Sequence, residues 1–337
     1  MINTLGSPRS SCTYKLGGAE TFRASSAKIL GLYGGNLQNV AKGLRKYYLA
    51  DPGKLLCQVD QSGAEAKIVA YLARKGKYRK LFDCGIKPHS YTAMTVFLKS
   101  WEEIMCEDLS EFIKAPIEDL KLLPKYKKLF QLIKESDDWP GRKRYYFIGK
   151  KLVHASSYGM KGPTFALSVL TESEGSIRLS VKDANHYLDT FHAMFPEIHQ
   201  WHMETEATYK RDKCLRNLFG FPWHKKGTLS DELLRKLYAF VPQSTVGCIT
   251  HIAVTRMQEY IEENKLDWDI LNNMHDSYLV QAPETEIREC ARVMQACMNQ
   301  DLVSLRGEHF KMASSASIGK NWGPFKAGCN EEGLVEL

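Results

Sequence analysis

The sequence predicts an α+β protein, a sheet domain interrupted by a mostly helical insertion. Three observations predict it. Residues 54–60 (KLLCQVD) carry the apolar run of a buried strand. Two more strand-like runs, about 268–274 and 278–282, follow some two hundred residues later, with His275-Asp276 at their junction. The long stretch between has its apolar residues at helical spacing, so the strands lie early and late and the helices in the middle.

Each element follows in order. Residues 63–75 form a helix, with Ile68, Tyr71 and Leu72 on one side and lysines on the other. The charged stretch 98–144 places Ile104, Leu109, Phe112, Ile113, Ile117 and Leu120 at helical spacing, cut by Pro116, Pro124 and Pro140. It is expected to be an added set of surface helices. Residues 180–213 continue as helix, rich in aromatics such as Tyr187, Phe191, Phe195 and Trp201. Gly220, Pro222 and Gly227 mark 215–226 as a hairpin or loop. Residues 245–263 make a long amphipathic helix.

Composition narrows the class. The chain has 337 residues, 44% hydrophobic and 25% charged, enough for a real core and for two domains, or for one large domain with an insertion. Its net charge of +7 leans toward anionic partners such as nucleic acid. Nine scattered cysteines without a CxxC argue against a disulfide framework and a structural zinc site. They fit a reducing compartment, so a cytoplasmic location (the host's, if viral) is expected. No apolar run approaches the ~18 residues of a membrane span, so no membrane partner is expected. The basic, Ser-rich start has the composition of a transit peptide. Gly6, Pro8, Gly17 and Gly18 interrupt any amphipathic helix there, so it is read as part of the fold.

Three separated segments carry the chemistry. Asp60 follows the first strand, and Asp276 sits between the last two. Lys150, His154 and Tyr158 fall at i, i+4 and i+8 on one helix face, with Lys150 placed at a helix start. Two carboxylates with a cationic, ring-bearing face suit a nucleoside triphosphate and metal ions, because phosphoryl transfer needs positioning and charge neutralisation. Arg23, Arg45, Arg235 and Gln243 suit phosphate or minor-groove acceptors. Taken singly, Asp276 is as readily a turn cap, Lys150 a solvated lysine, and His154 and Tyr158 ordinary packing.

Order and spacing together resemble family A DNA polymerases, the bacterial DNA polymerase I type, over about residues 8–323. Seven matches occur in sequence. Arg23-Ala-Ser-Ser with Asn36-Leu-Gln-Asn39 is similar to "GRLSS…NLQN", and Val59-Asp60-Gln-Ser-Gly-Ala-Glu65 to "DYSQIE". Phe82, Gly85, Pro88-His89 and Thr92-Ala93 match "F…G.DIH..TA". Lys150-x3-His154-x3-Tyr158-Gly159 matches the fingers helix, Pro242-Gln243-Ser-Thr "P.QGT", His275-Asp276 "HDE", and Gly319-Lys-Asn-Trp322 "G.NW".

The resemblance implies a right-hand fold, with a palm of antiparallel sheet and helices at 1–82 and 235–337, and helical fingers at 83–234 that include the extra 98–144 segment. It implies template-directed DNA synthesis from dNTPs on primer-template DNA. Asp60 and Asp276 would bind two Mg²⁺ ions, with Mn²⁺ as a substitute. Lys150 would hold the triphosphate, His89 would contact it, and Gln61 would join the substrate contacts. His154 would lie against the sugar and Tyr158 beneath the nascent pair. Glu65 would be the steric gate against a 2′-hydroxyl. Arg23 and Gln243 would check the minor groove near the primer end. Arg45, Arg235 and His275 would complete the DNA contacts.

The pattern is broken in four places. Position 154 is histidine where the family has Phe or Tyr. Position 146 is Tyr where it has a phosphate-binding Arg; Arg142, Lys143, Arg144 and Lys151 are the nearby cations, but helical phase does not favour them as replacements. The third carboxylate of "HDE" is Ser277. Only 22 residues precede Arg23, where the family has a thumb and usually an exonuclease domain. The thumb is expected to be largely absent, either supplied by a separate polypeptide or lost through truncation or an incomplete reading frame, and proofreading is not expected. The rival readings are a single-subunit RNA polymerase, whose last motif often reads "HDS", and a split-polymerase subunit inactive alone. Glu65 and the NLQN stretch favour the DNA enzyme.

Overall fold

One early strand, Lys54–Gln61, belongs to a sheet whose remaining strands come from the last seventy residues of the chain. The computed structural model describes residues 9–15, 18–29, 34–61, 63–100, 104, 144–225, 227, 229–326 and 328–337. Strands β1 (Thr13–Lys15), β2 (Ser25–Ala27) and β3 (Lys54–Gln61) come first. Helices α1 (Ala64–Leu72), α2 (Lys77–Asp83) and α3 (Pro88–Phe97) follow. Then come α4 (Arg144–Ser157), α5 (Gly162–Glu172), α6 (Val181–Met194) and α7 (Pro196–Asp212). Strands β4 (Cys214–Arg216) and β5 (Pro222–His224) form a hairpin ahead of α8 (Asp231–Asn264). Strands β6 (Asp269–Asn273) and β7 (Ser277–Pro283) lead to α9 (Ile287–Met298). The chain ends on β8 (Asp301–Val303), β9 (His309–Lys311), β10 (Ser314–Gly319) and β11 (Val335–Glu336).

The molecule divides into two units. The first comprises Met1–Glu65, Arg216–Trp223 and Phe240–Leu337, and the second Ala66–Leu215 and His224–Ala239.

The first unit is built on a five-stranded sheet, ordered β11-β10-β3-β7-β6, with antiparallel neighbours throughout. Side chains alternate along β3, as strand geometry requires. Cys57, Val59 and Gln61 are buried on one face. The Gln61 amide donates to Thr250 Oγ1 of α8 at 2.8 Å, so α8 lies behind that face. Helix α9 buries Ile287, Cys290, Ala291, Val293, Met294 and Met298 along one stripe, and Tyr278 Oη donates to the Met294 carbonyl at 2.8 Å. The opposite face carries Leu56, which packs with Met274, Leu279, Trp322 and Leu334. Asp60 has the parity of Leu56 and so belongs to this second face.

The second unit is helical. Rings of Tyr78, Phe191 and Phe195 meet edge-on at 5.0–6.1 Å, and Glu197 accepts from the Tyr78 N–H at 2.6 Å. Helices α3 and α4 pack closely because position 149 is glycine. A Cβ there would stand 2.7 Å from Ala93 Cβ and 2.9 Å from the His89 carbonyl oxygen.

Strands 54–60, 268–274 and 278–282, the helix at 63–75 and the hairpin at 215–226 appear within a few residues of expectation. The helix expected at 180–213 is two, since Phe195 leaves helical geometry and Pro196 starts α7. The helix expected at 245–263 begins at Asp231 and carries Pro242 inside it. A proline there costs the rung to residue 238 but need not end a helix whose remaining turns are packed. By length and composition α8 could also cross a membrane, although no unbroken apolar run announces it. Yet 72% of its most apolar window is buried within the protein, as in a core helix. The N-terminal stretch enters the fold from residue 9, with β1 paired to β2. Residues 1–8, and the added helices expected at 98–144 apart from 98–100, 104 and 144, lie outside the described residues. The eight described cysteines are free.

Candidate active site

In the first unit, strand pairing brings the two aspartates together. Register sets Asp60 opposite Ser277, the residue after Asp276. The Gln61 N–H then donates to the Asp276 carbonyl at 2.9 Å, tying the turn to the end of β3. Asp60 is half-buried, while His275 and Asp276 are exposed. The turn is buttressed from below. The Gln38 amide of the NLQN stretch donates to the Asn273 carbonyl at 2.9 Å, and Asn272 Nδ2 donates to the Leu37 carbonyl at 3.1 Å. That stretch is thus a support for the carboxylate turn. Gln61, expected among the substrate contacts, is 3% exposed and committed to α8 on the face away from Asp60. Period-two alternation excludes it from the carboxylate face.

Arg45 stands in the field of both carboxylates. Burial pulls its pKa down from the usual value, while Asp276 and Asp60 push it up. Its guanidinium lies 4.5 Å over the Trp322 ring, and its Nε donates to the Val40 carbonyl at 3.2 Å. Trp322 is fixed in turn by its Nε1, which donates to Gln58 Oε1 at 2.8 Å. The C-terminal Gly319-x-Asn-Trp322 match therefore supplies the ring that carries Arg45, a contribution no local sequence signal announced.

Glu65, in the first turn of α1, forms an ion pair with Arg23. Arg23 follows Phe22, whose backbone is left-handed at φ 55°, a conformation costing a non-glycine residue of order 1 kcal/mol or more. Phe22 is held there by the rings of Phe221 and Phe240 at 5.5 and 6.1 Å, and by His251 Nε2, which donates to its carbonyl at 3.1 Å. Gln243 is half-buried on α8, one turn before Gly247, against which the Arg23 stem packs. His275, although its side chain reaches the surface, has its pKa lowered by partial burial and by Arg23, with Asp276 and Glu65 opposing.

The second unit holds the other candidates. Lys150 and His154 are exposed on α4 and Tyr158 is half-buried. Lys150 lies in the middle of α4 rather than at its start, because the helix already runs from Arg144. Tyr158 stands just past the last helical residue, yet its N–H still donates to the His154 carbonyl at 3.2 Å, and the two rings lie 5.9 Å apart. The helix closes with Gly159 at φ 64° and the Met160 N–H donating to the Ala155 carbonyl at 2.9 Å. That glycine cap fixes the direction in which Tyr158 leaves. His89, on α3, has its pKa lowered to about 3 by burial, then by the positive charge of His154, Lys150 and Lys87. Its Nε2 is buried with no hydrogen-bond partner among the described residues. Tyr146 is 2% exposed and packs with Ala93 and Ile104, a core position. Of the cations named to replace an arginine there, Lys151 is paired with Glu172, and Arg142, Lys143 and the Arg144 side chain lie outside the described residues. Arg235 is half-buried in the first turns of α8, in this unit.

Gly149 and Gly247, which set the approach of α3 and of Arg23, were not singled out from sequence. A glycine inside a helix was their only trace.

Known proteins similar to this chain are consistent with that geometry. The sequence profile of DNA polymerase family A matches residues 142–324. DNA polymerase I A, chloroplastic/mitochondrial, of Arabidopsis thaliana is 21% identical over 284 residues, 83% of this chain and 25% of that protein. DNA polymerase theta of Caenorhabditis elegans is 26% identical over 181 residues, 52% of this chain and 10% of that protein. The chain spans about a quarter or less of the length of these relatives. Among solved structures, the POL domain of Pol1 from M. smegmatis, in complex with DNA primer-template and dNTP, superposes with a TM-score of 0.68. That match has 17% identity and covers 95% of this chain and 49% of the other. The fold is therefore that of an α+β polymerase domain.

Proposed function

The chain belongs to DNA polymerase family A, and on that footing we propose that it adds deoxynucleotides to a primer 3′-hydroxyl as a DNA template directs. The primer 3′-oxygen would attack the α-phosphorus of the dNTP, the bond to the pyrophosphate oxygen would break, and the hydroxyl proton would pass to solvent. The observation that carries the proposal is the β3–β7 register, which sets Asp60 beside the turn holding Asp276.

The donor set fits Mg²⁺. Both groups are carboxylates with solvent access, and among the described residues no cluster of three or more His, Cys, Asp or Glu is gathered to hold a metal. A hard cation that keeps several waters needs no more than one or two protein carboxylates. Two Mg²⁺ ions, or Mn²⁺ in their place, would supply charge neutralisation at the attacking and leaving oxygens. Asp60 and Asp276 would hold them.

The remaining roles are assigned on the same footing. Lys150 would hold the triphosphate, with His89 positioned through α3. His154 would lie against the sugar, and Tyr158 beneath the nascent pair. Glu65 would exclude a 2′-hydroxyl. Arg23 and Gln243 would meet minor-groove acceptors, and Arg45, Arg235 and His275 the template-primer. The first unit would then serve as palm and the second as fingers.

Primer extension with dNTPs and Mg²⁺ tests the reading. Wild type is expected to extend a primed template, and Asp60→Ala or Asp276→Ala to lose rate by about 10²–10³-fold or more, the scale of removing one electrostatic stabiliser. A wild type that adds no nucleotide at high enzyme and low salt would overturn the proposal. Alanine variants that stay active would overturn the metal assignment.

A further inference from the structure

Arg23 is held at its backbone, its stem and one guanidinium nitrogen. Gly247 lets its stem lie against α8, since a Cβ there would stand 3.2 Å from Arg23 Cγ and 3.6 Å from its Cα and N. Its backbone is fixed by the clasp on Phe22, through Phe221, Phe240 and His251. What the fixed stem delivers is Nη2 to Glu65 Oε1, with the two side chains only 16% and 18% exposed. A charge-assisted bond from a planar guanidinium constrains the direction of the carboxylate it meets as well as its distance. A glutamate in the first turn of a helix has several rotamers open to it, and this contact selects one.

We infer that Arg23 is the positioning residue of the sugar gate. It holds the Glu65 carboxylate where an incoming 2′-hydroxyl would enter. One guanidinium therefore serves the choice of sugar as well as the check on the primer end. The inference rests on the polymerase reading and deepens it.

A double-mutant cycle reads this directly. Single-nucleotide addition is measured with a dNTP and the rNTP of the same base, for wild type, Arg23→Ala, Glu65→Ala and the double variant. The readout is the ratio of kcat/KM for the two sugars, in which a general loss of activity or folded fraction cancels. Each single variant is expected to lower the ratio about tenfold or more, and the double variant to fall no further than Glu65→Ala alone. Arg23→Lys, which keeps the charge without the fork, should retain part of the discrimination. It carries the same comparison if Arg23→Ala adds too slowly to measure. An unchanged ratio in the Arg23 variants, or losses that multiply in the double variant, would overturn the inference and leave the polymerase reading standing. A wild type that adds neither sugar overturns the polymerase reading and the inference with it.

Discussion

Ser277 stands opposite Asp60 on the same face of the sheet, 3% exposed, with its hydroxyl donating to Met274 Sδ at 3.8 Å. Cross-strand neighbours lie about 5 Å apart, so a carboxylate at 277 would face a like charge inside a packed sheet. Ser277→Asp should therefore destabilise the first unit by about 1–3 kcal/mol, seen as a lower urea midpoint at unchanged m-value. An unchanged midpoint would mean that this side chain reaches water. His89 gives a pH signature. Its folded pKa is lowered to about 3, against an ordinary value of 6.5. Between those values the unfolded chain binds a proton that the folded one refuses. Stability is therefore complete above pH 6.5 and falls as pH drops toward 3, by up to about 1.4 kcal/mol per unit. His89→Gln should lose less stability than wild type between pH 6.5 and 4.5 in parallel thermal melts. Identical pH slopes would refute the buried, neutral imidazole.

Elements position these residues through a few close approaches. Gly149→Val would press a branched side chain into Ala93 and the His89 carbonyl, where even a Cβ stands at 2.7 Å. Overpacking of this kind costs about 1–3 kcal/mol, and it should separate α3 from α4 and weaken dNTP binding through Lys150. A raised KM for dNTP with primer-template affinity unchanged is the expected result; a wild-type KM would uncouple the α3–α4 contact from the nucleotide. The same elements show what could be read in advance. Strand β3 and the β6–β7 pair were legible because their apolar runs are short and bounded by polar turns, and Asp60 and Asp276 were legible at their ends. The face of Gln61 was not, because two adjacent polar residues at a strand end give no parity signal without the register. The start of α8 was hidden by Pro242, which as a rule ends a helix. The Arg23–Glu65 pair joins residues 42 apart, and the Arg45–Trp322 contact joins opposite ends of the sequence, so local pattern carries neither.

At the scale of the whole molecule, the charge of +7 bears on how DNA and nucleotide are held. Binding to a duplex releases counterions, so log K falls with log salt with a slope of about −0.9 per phosphate neutralised. The proposed roles divide the cations into two kinds. Arg235 is assigned to the template-primer, and Arg235→Ala should make the salt slope of primer-template binding shallower by about one. Lys150 is assigned to the triphosphate, so Lys150→Ala should leave that slope as in wild type while raising the KM for dNTP. Fluorescence anisotropy of a labelled primer-template across a salt series, with single-nucleotide addition beside it, separates the two. If Lys150→Ala flattens the slope and spares the KM, the lysine contacts DNA and the triphosphate must be held by other groups. If Arg235→Ala leaves the slope unchanged, its guanidinium makes no phosphate contact, and its half-buried place at the start of α8 is a matter of packing.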